Sequence, residues 1–137
     1  MIYAVVDTNV IVSALLSRHS DAATVQVVSS ISPKGICPLY NQEILAEYNG
    51  VLHRSKFSFP SRAVDSILNK VKTIGKNANR VRSNSAFPDP KDIVFYEVAL
   101  SKEDAYLVTG NSKHFPKTPI VVTPVEMLEI LRREGLL

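Results

Sequence analysis

The 137-residue chain has few of the residues that several common classes of protein require. A single cysteine, Cys37, excludes an internal disulfide and a zinc site built on several thiolates, and it fits a reducing, cytoplasmic location. The five glycines are scattered and form no G-x-G-x-x-G sequence. Gly75-Lys76-Asn77 also lacks the earlier glycine and the following Ser or Thr of a P-loop. These absences argue against disulfide-stabilised, zinc-finger and common nucleotide-binding folds.

Long apolar runs are also missing. The most apolar stretch, residues 1–16, is interrupted by Asp7 and Asn9 and has no basic leader, so we expect neither a signal peptide nor a membrane span. Hydrophobic residues make up 45% of the chain and charged residues 21%, which predicts a folded domain rather than disorder. The net charge of +3 permits contacts with nucleic acid but is too small to establish them.

Short apolar segments alternate with amphipathic ones along the chain. We predict strands at residues 2–6, 36–39, 105–109 and 119–122, with at most one more short strand between 75 and 90. We predict helices at residues 10–18, 21–30, 41–53, 61–76, 93–102 and 124–133. This alternation predicts an α/β fold, with a central, mostly parallel sheet of four to five strands and helices on both faces. We expect one domain over residues 1–137.

Several helix ends carry capping signals. Thr8 or Asn9 is placed to cap the first helix, and Asp89 precedes a proline at the start of the fifth. Residues 123–126 read Thr-Pro-Val-Glu, which is a capping box with proline at the first helical position. Gly135 stands where the last helix should end.

Acidic and polar side chains cluster where a ligand is expected. In open parallel sheets, ligands bind beyond the carboxyl ends of the strands. Three polar turns fall at or near such ends or at a helix start, at residues 7–9, 89–92 and 109–112. On the helix at 41–53, Glu47 lies at the border of the apolar face, whereas Glu43 points into solvent. The topology therefore predicts that these three turns and Glu47 meet.

A group of carboxylates with no histidine or cysteine suits Mg²⁺ or Mn²⁺. Two carboxylates about 4 Å apart repel each other by roughly 4 kcal/mol at an effective dielectric of 20. A divalent ion offsets that repulsion and can activate water against a phosphodiester. Each acid also has an ordinary interpretation: Asp7 as a turn residue, Asp89 as a cap, Asp92 as a carboxylate favoured near a helix start, and Glu47 as a solvated side chain.

Four segments, in this order, resemble the PIN-domain nucleases: AVVDTNV at 4–10, EILAEYNGVL at 43–52, DPKDIVFYEVA at 89–99 and LVTGN at 107–111. The later HFP at 114–116 and VTP at 122–124 are similar to a prokaryotic branch described as toxins of toxin–antitoxin systems, related to VapC-type ribonucleases. The resemblance covers nearly the whole chain. It implies an endoribonuclease dependent on Mg²⁺ or Mn²⁺ and acting on RNA, an antitoxin protein as partner, and a homodimer.

The resemblance also implies roles for particular residues. Asp7, Glu47 and Asp92 match the family's three principal metal-binding acids and are the predicted catalytic residues. Asn111 stands where many members have a fourth aspartate, and its amide can coordinate only through a neutral oxygen, which argues against a tightly held second metal. Glu97 lies in a matching motif but about 140° around the helix from Asp92, so it either orients the site or forms a local hydrogen bond.

The remaining candidates are peripheral. Thr8 and Asn9 are interpreted as residues that orient Asp7. Lys91 either contacts a substrate phosphate or is a solvated surface lysine. His114 approaches the site or fixes its loop. Further peripheral positions are Asp89, Thr109 and Ser112, and the cations that could bind RNA if they flank one groove are Arg54, Lys56, Arg80, Arg82, Lys113, Arg132 and Arg133.

Two alternatives remain. Phosphatases of the haloacid type place Asp-x-Asp after a strand, but here the second acid is replaced by Asn9. The stronger alternative is a module that keeps the fold but has weak or no catalytic activity and that binds RNA or docks a partner. The neutral Asn111, at the position of a fourth acid, supports this second hypothesis.

Overall fold

The computed structural model describes residues 1–137 and contains one sheet of five parallel strands in the order β3-β2-β1-β4-β5. The strands are β1 (Ile2–Val6), β2 (Ile36–Tyr40), β3 (Lys76–Asn77), β4 (Tyr106–Val108) and β5 (Val121–Val122). The predicted α/β architecture with a parallel sheet is confirmed. Between residues 75 and 90, where at most one short strand is expected, the structure has β3, at one edge of the sheet.

Six helices connect and follow the strands. They are α1 (Thr8–Leu16), α2 (Ala23–Ser29), α3 (Gln42–Leu52), α4 (Ser61–Ile74), α5 (Ile93–Ala99) and α6 (Pro124–Arg133). Two single-turn 3₁₀ helices lie at Pro90–Asp92 and Ser112–His114. None of the helices has the length and apolar character that a bilayer crossing requires.

The centre of the sheet is buried on both faces. Ala4, Val5 and Val6 of β1 are almost completely buried, and successive strand residues point to opposite faces, so both faces must be covered. Helix α5 packs against β1, β2 and β4, whereas α1, α2 and α6 form a contacting group. Because β1 lies between β2 and β4, the turn that follows β1 sits beside the turn that follows β4.

Most helix signals act as the sequence predicts. Thr123 and Glu126 form the complete capping box, and Gly135 adopts φ +71°, the left-handed conformation that ends α6. The first cap is wrong: α1 already begins at Thr8 with Asp7 as its N-cap, because the Asn9 side chain is bonded to Asp7 and to the turn after β4 instead of capping. Helix α5 ends at Ala99, three residues before the predicted end.

Candidate active site

Three of the four buried polar residues meet at the carboxyl ends of β1 and β4: Asp7, Thr8 and Thr109. The register that pairs Val6 with Val108 brings these turns together. The backbone N–H of Asp7 donates to the carbonyl of Val108 at 2.9 Å, and the Thr109 hydroxyl donates to Asp7 Oδ2 at 2.8 Å. The parallel register therefore fixes the carboxyl group of Asp7 over the end of the sheet.

Asn9 links the two turns. Its side-chain amide donates to Asp7 Oδ2 at 3.1 Å, and its amide oxygen accepts from the backbone N–H of Gly110 at 3.1 Å. Thr8 packs beside Asp7, and its buried hydroxyl has no hydrogen-bond partner. Asn9 thus orients Asp7 by direct contact.

Asp7, Glu47 and Asp92 line one open cavity of about 670 Å³, although they come from three separate elements. Asp7 follows β1, Glu47 lies on α3, and Asp92 closes the 3₁₀ turn before α5. Asp89 and Lys91 line the same cavity. The Asp89 side chain accepts from the backbone N–H of Lys91 at 2.9 Å, so it caps the turn that presents Asp92. The structure thus brings these five predicted residues together.

Burial and mutual repulsion disfavour the charged forms of these acids. The pKa of Asp7 is raised from 3.8 to about 6, mainly by burial and to a smaller extent by the nearby Asp92 and Glu47 carboxylates, while the hydrogen bond from Thr109 opposes the shift. Burial also raises the pKa of Asp92, with contributions from Asp89 and Glu47 that His114 partly offsets. A cation in the cavity would relieve this repulsion.

The oxygen atoms that line the cavity are of the type that a hard divalent cation binds, but the acidic side chains are too far apart to hold one as they stand. Asp92 Oδ2 and the Thr8 hydroxyl are buried without hydrogen-bond partners, which leaves two oxygens of the cavity lining available as ligands. As the side chains stand, no three acidic, histidine or cysteine residues are close enough together to hold a metal ion. Binding an ion would therefore require the carboxylates to move towards it.

Asn111 and Ser112 lie beside the cavity but do not line it. Both side chains are exposed, and the backbone N–H of Asn111 donates to the Thr109 hydroxyl at 3.0 Å. Asn111 thus contacts the residue that orients Asp7, and its role as a metal ligand stays a prediction. His114 comes closer to the acids, with Nδ1 at 3.6 Å from Asp92 Oδ2, and half of its side chain is exposed.

Glu97 is buried away from the cavity and forms local bonds. Its carboxylate accepts from Arg80 Nε at 2.8 Å and from the backbone N–H of Ser83 at 2.7 Å. These two donors, Ser83 first, lower the pKa of Glu97. Arg80 also pairs with exposed Glu43 on α3, with Arg80 Nη1 at 2.9 Å from Glu43 Oε2. The sequence predicts that Glu97 either orients the site or forms a local hydrogen bond, and the structure shows the local hydrogen bonds.

Two groups near the site were not identified from the sequence. The buried Tyr48 hydroxyl donates to the carbonyl of Val6, and burial raises the pKa of Tyr48, so the donor stays protonated. Phe57, in the loop between α3 and α4, lines the cavity together with Arg54. The available signal was the loop sequence RSKFSF at 54–59, in which two basic residues are followed by two aromatic ones.

A family model described as PIN domain matches residues 3–113. The match covers most of the chain, runs from the second residue of β1 to beyond β4, and includes Asp7, Glu47 and Asp92. No curated protein and no solved structure matches the chain.

Proposed function

Because the chain belongs to the PIN-domain family, we propose that it is a metal-dependent endoribonuclease that hydrolyses phosphodiester bonds of RNA. PIN domains are generally nucleases, act on nucleic acids and use divalent metals. One observation carries the proposal: Asp7, Glu47 and Asp92 face a single cavity from three distant parts of the chain. The raised pKa values of Asp7 and Asp92 support it, since buried carboxyl groups that repel one another are typical of sites that bind a cation.

The proposed roles follow from the contacts of each side chain. Asp7, Glu47 and Asp92 would hold Mg²⁺ or Mn²⁺, with Asn111 as a neutral additional ligand. The ion would neutralise the carboxylates and lower the pKa of an attacking water. Thr109 and Asn9 hold the Asp7 carboxylate in place through their hydrogen bonds. Lys91, at the exposed side of the cavity, would contact a substrate phosphate.

The test is cleavage of RNA by the purified chain with Mg²⁺ or Mn²⁺. We expect cleavage that EDTA stops and that Asp7→Asn lowers by at least about a hundredfold, as expected when a metal-holding carboxylate is removed. Asp65→Asn, an exposed carboxyl on α4, is the matched control and should cleave like the original chain. Cleavage that survives both EDTA and Asp7→Asn would contradict the proposal.

A second candidate is a PIN-fold module that binds RNA or a partner protein without appreciable catalysis. Two observations favour it: the acids are too far apart to hold a metal as they stand, and the fourth position is a neutral, exposed asparagine. In the same assay, RNA binding that is independent of metal and leads to no cleavage identifies this module.

The resemblance of the sequence to toxins of toxin–antitoxin systems indicates a biological role for this nuclease. We propose a toxin of a toxin–antitoxin pair, with an antitoxin protein that covers the cavity and a homodimer as the assembled form. We also propose that residues 1–137 form a single PIN-like domain. Strand β5 and helix α6 lie beyond the matched segment, but β5 pairs with β4, and Met127 and Leu131 of α6 are fully buried in the common core.

A further inference from the structure

The lining of the cavity is chemically mixed. It includes the carboxyl groups of Asp7, Glu47 and Asp92. It also includes five apolar residues, which are Val12, Leu16, Val51, Phe57 and Phe95. A site that bound only a metal and a phosphate would need no such apolar residues. They therefore have the character of a subsite for an apolar part of the substrate.

Electrostatics make an additional source of affinity necessary. The acids repel the phosphates of RNA, and only two cations, Arg54 and Lys91, line the cavity. Neither belongs to an ion pair, so both are available to a phosphate. Arg80, another cation near the acids, is already bound to Glu43 and Glu97. With Asp89, four carboxyl groups line the cavity, and a substrate held next to them gains affinity if an apolar contact adds to these two cations.

Phe57 is held as a platform for such a contact. Its ring stacks on Phe59, with 5.1 Å between the centroids and 6° between the planes. Lys56 Nζ lies over the Phe57 ring, 5.1 Å from its centroid, and its flexible, exposed side chain can move aside when a base stacks there. Aromatic rings supported in this way and flanked by cations are typical of sites where unstacked nucleic-acid bases bind.

We propose that Phe57 and Arg54 form a nucleotide subsite of this cavity: a base of single-stranded RNA stacks on Phe57 while Arg54 contacts the adjacent phosphate. Cleavage of the neighbouring phosphodiester rests on the proposed function. Binding of the base needs no catalysis. A base paired within a duplex cannot reach Phe57 without leaving its stack, so the subsite selects unpaired segments.

The test compares two fluorescein-labelled oligonucleotides of equal length by fluorescence anisotropy, in EDTA so that cleavage is absent. One is single-stranded RNA, and the other has the same ribose-phosphate chain without bases. We expect the original chain to bind the RNA more tightly than the chain without bases. In Phe57→Leu the ratio of the two Kd values should fall roughly tenfold, which is the effect of one stacked base. Phe57→Tyr keeps a ring and should retain the preference. An equal preference in Phe57→Leu, or no preference in the original chain, overturns the proposal.

Arg54 is tested with a charge-matched control. Arg54→Ala should weaken binding of both oligonucleotides and reduce the salt dependence of log Kd by about one, as expected for one phosphate contact. Arg62→Ala removes the same charge from an exposed position on α4 outside the cavity and should change neither. Equal effects of the two variants would overturn the role of Arg54. Cleavage without base-dependent binding would overturn the subsite and leave the nuclease proposal intact. Base-dependent binding without cleavage would overturn the nuclease proposal and leave the subsite intact.

Discussion

The carboxyl group of Asp7 occupies a place where its charged form is disfavoured. A pKa raised from 3.8 to about 6 corresponds to about 3 kcal/mol of differential free energy. Because the folded chain binds this proton more tightly than the unfolded chain, the charged carboxylate destabilises the fold above pH 6. That destabilisation fades as the pH falls from about 6 towards 4.

Replacing this carboxyl group by an amide should therefore stabilise the metal-free protein. We expect Asp7→Asn to raise the free energy of unfolding by about 2 kcal/mol at pH 8, since an amide oxygen can accept from Thr109 and Asn9 without carrying charge. The gain should shrink steadily below pH 6. Urea unfolding in EDTA at several pH values measures it, and Asp65→Asn serves as the exposed control. Equal stability of Asp7→Asn and the original chain at pH 8 would contradict this explanation.

Among the elements, the segment between β3 and α5 is attached to two helices through Arg80. Arg80 pairs with Glu43 on α3 and with the buried carboxylate of Glu97 on α5, where Arg80 Nη2 lies 2.6 Å from Glu97 Oε1. Glu97 in turn accepts from the backbone of Ser83. These bonds connect the two helices near the elements that carry Glu47 and Asp92.

Removing this cation should loosen the attachment. We expect Arg80→Met to lower the free energy of unfolding by about 2 kcal/mol, because Glu97 stays buried with one donor fewer and Arg80 itself is partly exposed. The double variant with Glu97→Gln should lose less than the sum of the single variants. The loss should diminish below pH 4.5, since the lowered pKa of Glu97 stabilises the fold only while the carboxylate is charged. Urea midpoints measure these effects, and an additive double variant would argue against the pair.

The helices show which structural features can be predicted from the sequence. The capping box at Thr123 was predictable because its partners lie three residues apart, and the apolar stripe of α4 repeats at helical spacing. The start of α1 was not, because Asn9 bonds to Gly110, a residue 101 positions away. The Arg80–Glu97 pair was missed for the same reason, since no local pattern links residues 17 positions apart.

At the scale of the whole molecule, metal binding and folding should be coupled. Because the three acids meet only in the folded chain, Mn²⁺ should raise the melting temperature, with a gain of about 2.7 kcal/mol at a concentration of one hundred times Kd. Thermal unfolding against Mn²⁺ concentration measures this. Asn111→Asp should enlarge the shift, and Asp92→Asn should reduce it. An unchanged shift in Asn111→Asp would remove that residue from the site, and no shift in the original chain would contradict a metal centre.

The meeting of the acids was predictable from the whole-molecule pattern, although their exact spacing was not. Alternating strands and helices place Asp7 and Thr109 at the same edge of a parallel sheet, and the helical angle of Glu47 directs it to the border of α3. The placement of Asn111 outside the cavity lining depends on the turn that follows β4, in which its backbone bonds to Thr109. No periodicity in the sequence encodes that turn.

The hydrogen bond between Asp7 and Thr109 joins residues 102 positions apart. On the ribosome, β1 is therefore made long before β4 exists to pair with it. Bringing such distant residues together also costs loop-closure entropy, which slows folding. A translation product that stops short of β4 keeps the contact between Asn9 and Asp7 but lacks both the Val108 carbonyl and the Thr109 hydroxyl that fix the Asp7 carboxyl group over the sheet.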